Sequence, residues 1–112
     1  MARIIGIFQV ELRAGVDPQE FVRYFNDLYV PIAKKVNWHG VVGLADRGER
    51  KGKLAFFWEF ENQAQRDIAC PTEGDLTETG KMLMGAAWEE NGKTWEHLVE
   101  SSFYVGDYII QA

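Results

Sequence analysis

A chain of 112 residues can bury one hydrophobic core, so a single domain over residues 1–112 is expected. The net charge of −5, with no Lys/Arg run long enough to follow a phosphate backbone, argues against a nucleic-acid partner. A lone cysteine, Cys70, excludes an internal disulfide; with no leader-like start it points to a reducing cytoplasm, and no apolar stretch is long enough to span a membrane.

Arg3 to Arg13 reads as a first strand. Ile4, Gly6, Phe8, Val10 and Leu12 share one face; Ile5, Ile7, Gln9 and Glu11 share the other. Both faces are apolar at the start, which predicts burial on both sides. Asp17-Pro18-Gln19-Glu20 then has the chemistry of a helix start. Asp17 can cap, Pro18 suits the first helical position, and Glu20 sits where a capping box wants a carboxylate. Phe21, Phe25, Leu28, Ile32 and Val36 follow at helical spacing. Pro31 falls inside that stripe and predicts a kink, or an end to the first part near Val30.

Trp38 to Asp46 reads as a second strand and Lys53 to Glu61 as a third. The segment between them carries glycines and Glu49 among its cations and reads as a solvated turn. A hairpin centred between Glu49 and Arg50 places Val41 against Trp58 and Gly43 against Phe56. In the third strand Leu54, Phe56, Trp58 and Phe60 alternate with Ala55, Phe57, Glu59 and Glu61, giving one strongly aromatic face.

Asn62 to Cys70 is a short helical segment stopped by Pro71, and Pro71-Thr72-Glu73-Gly74 is a turn. Asp75 can cap a second helix to about Glu90, with Leu76, Leu83, Ala87 and Trp88 inward. Asn91-Gly92 marks its end. Thr94 caps one more turn, with Trp95, Leu98 and Val99 inward, and Ser102 to Gln111 is the last strand. The order β-α-β-β-α-β is the ferredoxin-like α+β arrangement: a four-stranded antiparallel sheet with its helices on one face.

In that arrangement Phe8, Val10, Phe56, Trp58 and Phe60 face the helices. Ile5, Ile7, Gln9, Trp38, Val42, Leu44, Phe57 and Glu59 fall on the opposite face, which is too apolar to leave in water. A second copy covering it, as a symmetric homodimer, is the simplest solution.

The element order, the aromatic third strand running into a short helix, and the two-part second helical region resemble the dimeric α/β-barrel superfamily over nearly the whole chain. Gly52 to Glu61 with Arg66-Asp67 resembles the third strand and following helix of NIPSNAP-like proteins. Tyr24-Phe25-Asn26-Asp27-Leu28-Tyr29-Val30-Pro31 is similar to the tyrosine/phenylalanine-x-x-x-histidine-x-proline pattern of the EthD-like branch. The resemblance implies a homodimer that closes an α/β barrel. It also implies cofactor-free oxygenation, cyclisation or isomerisation of an apolar, aromatic or polyketide-like molecule. Two departures matter. Tyr29 stands where the EthD-like pattern has histidine, and a phenol does not take up a proton near neutral pH. Haem-degrading members use an asparagine, a tryptophan and a histidine at positions that fall near Phe8, Phe60 and Cys70; none matches, so haem degradation is not expected.

The candidate site residues follow from that reading. His39, at the start of the second strand and expected on the helix-side face near Phe60, could act as a general base, against the alternative of a strand-end surface histidine. Tyr29, and with it Tyr24, could donate to a ligand oxygen, or could be core-edge tyrosines with a wet hydroxyl. Phe56, Trp58, Phe60 and Trp88 could wall an aromatic pocket or fill a core. Glu59 and Glu61 read as rim charges, His97 as a solvated helix residue and Cys70 as a small buried one. No ligand spacing for a metal occurs, and neither a metal nor a cofactor is expected. The function is thus either a small cofactor-free enzyme (monooxygenase, cyclase or isomerase-like) on an apolar or aromatic small molecule, or a non-catalytic ligand-binding or stress-related homodimer.

Overall fold

The structure, a computed structural model, describes residues 3–72 and 76–111. The first strand, β1, spans Ile4–Leu12. Helix α1, Pro18–Tyr24, starts at the capping box that the sequence announces: Asp17 accepts from the Gln19 amide at 2.8 Å, and Glu20 reaches back to the Asp17 amide. The helix does not stop at Tyr24. It widens into a π-helical turn, Phe25–Tyr29, before the short α2, Val30–Ala33. Pro31 has no N–H to give to an i→i−4 bond, so the register is re-spaced just ahead of it and the chain continues without a break. A 3₁₀ turn, Lys34–Val36, and Asn37 in the left-handed conformation (φ 61°) lead to β2, His39–Leu44.

Strand β3, Leu54–Phe60, runs straight into α3, Gln63–Asp67, capped by Asn62, whose Oδ1 accepts from the Gln65 amide at 2.9 Å. Helices α4, Glu78–Met84, and α5, Ala87–Leu98, precede β4, Val99–Ile109. The four strands lie in the order β2-β3-β1-β4, all pairs antiparallel, which is the ferredoxin-like sheet. The Cα envelope is 39 × 37 × 20 Å. Its short dimension fits one sheet and one helical layer, so the chain itself covers the sheet on one side only.

Several local expectations are corrected. The hairpin is centred on Glu49, so Gly40 opposes Trp58 and Val42 opposes Phe56. The turn closes in this register through the Ala45 amide on the Lys53 carbonyl and the Gly52 amide on the Ala45 carbonyl, each at 2.9 Å. Within it the Arg50 guanidinium turns back onto the carbonyls of Val10 and Leu54, each at 3.2 Å, and onto the Glu11 carboxylate. The one-residue shift carries Val42 and Leu44 to the helix side and Val41 to the other. Trp38 also lies with the core, packed on Trp58 and Phe60. Asn91 and Gly92 lie inside α5, not at a helix end, and Thr94 is mid-helix, donating to the Glu90 carbonyl at 3.1 Å. The break falls earlier, at Gly85 (φ 78°). Met84 is buried where Leu83 was expected, and Leu83 is exposed. β4 begins at Val99, ahead of Ser102. The proposed cap at Asp75 lies outside the described residues.

The core is an aromatic stack between sheet and helices. Phe21, Phe25, Phe56 and Trp58 are buried, and Phe25 packs against Phe56 and Trp58 with ring centroids 5.2 and 5.3 Å apart.

Candidate functional site

A cavity of about 470 Å³ opens between the sheet's inner face and the helical layer. Its floor is the inner face itself: Phe8 on β1, Trp58 and Phe60 on β3, and Tyr104 and Asp107 on β4. Tyr29, Trp38 and Trp88 wall it with further rings, and Arg66, Cys70, Pro71, Thr72 and Leu76 close the side after α3. The volume is that of a small-molecule site, and the lining is mainly aromatic with a few polar groups, the usual composition of such sites.

The sequence-predicted residues divide. Tyr29, Trp58, Phe60 and Trp88 line the cavity. Tyr29 packs edge-on to Trp88 and tilts over Trp58, with centroids 6.1 and 4.9 Å away. Phe56 lies one layer behind, in the solid core, stacked on Phe8 at 4.9 Å. Tyr24 is also away from the cavity. Its hydroxyl is spent on α5, donating to Asn91 Oδ1 at 2.6 Å. His39, expected on the helix side near Phe60, is exposed and opposes Glu59 on the outward face. Its side chain follows the strand's alternation away from the cavity. Glu59, on that same face, pairs with Arg3 at 2.6 Å.

Burial raises the pKa of the Tyr29 hydroxyl above its ordinary value, with the neighbouring Cys70 adding to the shift. At neutral pH it is therefore a hydrogen-bond donor and not a base. Trp38 Nε1, fully buried in the cavity wall, has no acceptor among the described residues. A buried N–H of this kind is an unmet demand for an acceptor.

The polar end was not foreseen. Arg66 reaches back from α3 over the sheet and donates from Nη1 to Asp107 Oδ2 at 3.0 Å and from Nε to Asp67 Oδ1 at 2.9 Å. Burial lowers the guanidinium's proton affinity, but the two carboxylates outweigh it and the net shift is upward. A β-bulge aims Asp107. Ile7 pairs with Gly106 and Phe8 with Tyr104, so Val105 is extra. In an unbulged strand Tyr104 and Asp107, three positions apart, would lie on opposite faces; the bulge lets both face inward. Gly6, opposite Asp107, supplies the room, because a β-carbon there would stand 2.7 Å from Asp107 Oδ1. Gly106 inside the last strand is the sequence signal that could have announced the bulge.

Among the described residues no group of three or more His, Cys, Asp or Glu stands together as metal ligands, and no helix is long and apolar enough to cross a membrane.

No family model matches the chain, and no curated protein matches it. Solved structures do. A NIPSNAP domain protein from Burkholderia xenovorans superposes with a TM-score of 0.67 at 14% identity, over 97% of this chain and 95% of that one. A dabb family protein with a ferredoxin-like fold from Mesorhizobium loti gives 0.62 at 16% identity over the full length of both. A protein from Bacteroides fragilis, described as dimeric, of unknown function and of ferredoxin-like fold, gives 0.54 at 19% identity over 96% of each chain. At these identities the likeness is one of fold, and it fits the NIPSNAP-like resemblance of the sequence: the chain has the ferredoxin-like fold of NIPSNAP and dabb proteins.

Proposed function

We propose that this protein binds an apolar, aromatic small molecule in the cavity between its sheet and helices. The observation that carries the reading is the 470 Å³ aromatic-walled cavity with Tyr29 at its edge as a neutral donor. An enzyme of cofactor-free monooxygenase, cyclase or isomerase type would use this cavity as its active site, with the Tyr29 hydroxyl holding a ligand oxygen. A non-catalytic binding protein would use it the same way. The second reading is favoured by one feature: Arg66 and Asp107 are bonded to each other, so neither is poised as an acid or base.

The assembly belongs to the proposal. Val41, Phe103 and Tyr108 are 61%, 64% and 55% exposed on the outward sheet face, beside the half-buried Ile5, Ile7 and Phe57. A second copy would cover them, and the Bacteroides fragilis neighbour is described as dimeric. Native mass spectrometry on protein purified gently from its own source tests both parts. The expected species is a dimer carrying a discrete added mass, and Phe57→Lys should convert it to monomer. A wild-type monomer at micromolar concentration would overturn the assembly. A bare protein that also takes up no aromatic solute would overturn the ligand reading.

A further inference from the structure

The charged residues that line the cavity, among those described, are Arg66 and Asp107. An arginine in an aromatic pocket invites the expectation of an anionic ligand. Here that role is already filled. Arg66 is held by Asp107 on one side and Asp67 on the other, at 3.0 and 2.9 Å. With Asp107 beside it in the lining and Asp67 behind it, the guanidinium is already neutralised, so this end of the cavity offers no free positive charge to an anion.

Asp107 has acceptor capacity to spare. Its Oδ2 takes the bond from Arg66, while Oδ1 lies over the backbone of Gly6, where no side chain intervenes. Its side chain is 22% exposed, so the carboxylate is still reachable. The other oxygen groups of the lining, the hydroxyls of Tyr29, Thr72 and Tyr104, are uncharged. They suit a carbonyl or ether oxygen and place no demand for an anion.

Taking the cavity as a ligand site, as above, we infer that the Arg66–Asp107 pair selects aromatic molecules that carry an O–H or N–H donor and no negative charge, with Asp107 as the selecting acceptor and Arg66 as the residue that positions it. The bulge at Val105 and the missing side chain at Gly6 are the features of the fold that serve this carboxylate.

Calorimetric titration of the full chain with naphthol, naphthylmethylammonium and naphthoate at neutral pH tests the inference. The three share one ring system and differ in charge. Naphthol and the ammonium should bind roughly tenfold or more tightly than naphthoate, the scale of a hydrogen bond to a charged group. Asp107→Asn should erase that preference and let naphthoate gain. Naphthoate binding as tightly as naphthol to the wild type would overturn the inference, and so would an unchanged ratio in a folded Asp107→Asn. If that variant does not fold, the wild-type ratio alone decides. Equal binding of all three sinks the charge selection and leaves the ligand site standing; binding of none sinks both.

Discussion

Gly40 lies directly across the β2–β3 ladder from Trp58, and a β-carbon at position 40 would stand 2.4 Å from Trp58 Cζ3. The indole occupies the space that any other residue would fill. Phe25, Tyr29 and Trp38 pack around it with ring centroids 4.9 to 5.9 Å away, so moving it aside would cost those contacts. The absent side chain at Gly40 is therefore what seats the central ring of the cavity floor.

Gly40→Ala should lower stability by about 1–3 kcal/mol, the usual cost of overfilling a well-packed core. A strand alanine would otherwise be slightly favoured over glycine, so the sign itself is diagnostic. Thermal unfolding reads the effect. An unchanged or higher melting temperature would show that Trp58 has room the structure does not give it.

The bond from Tyr24 to Asn91 ties the first helix to the last. Asn91 is 2% exposed, and the pair is buried. Asn91→Ala should cost about 1–3 kcal/mol, because the Tyr24 hydroxyl loses its side-chain acceptor. The better helix propensity of alanine offsets only about 0.5 kcal/mol of that. In a urea-unfolding cycle with Tyr24→Phe, the double variant should lose clearly less than the sum of the singles. Strict additivity would mean the bond contributes nothing.

Glu11 accepts from Lys53 at 3.0 Å and from Arg50, and both hold its carboxyl below its ordinary value of 4.5. A folded pKa below the unfolded one means stability that is present above the unfolded value and lost as pH falls through the folded one. Glu11→Gln should therefore be less stable than wild type at pH 7. The gap should hold down to about pH 5 and close at lower pH. The side chain is 40% exposed, so the gap should be small, about 0.2–1 kcal/mol, and should shrink with salt. A gap that widens toward acid pH would reverse the assignment.

The sequence by itself determined the element order, the helix start at Asp17 and the aromatic inner face of β3, because these depend on neighbours a few residues apart. It also carried Tyr29, Trp58, Phe60 and Trp88, which do line the cavity, since large rings concentrated on one face must meet something. Only the tertiary structure decided which way β2 faces. A period of two is blind to a one-residue slip; the observed register sets Gly40, which has no side chain, opposite the Trp58 indole and turns His39 outward. The pair at the cavity's polar end was beyond sequence reach for a similar reason. Arg66 and Asp107 stand 41 positions apart, and they meet only because a bulge formed by pairing with β1 rotates the end of β4 inward.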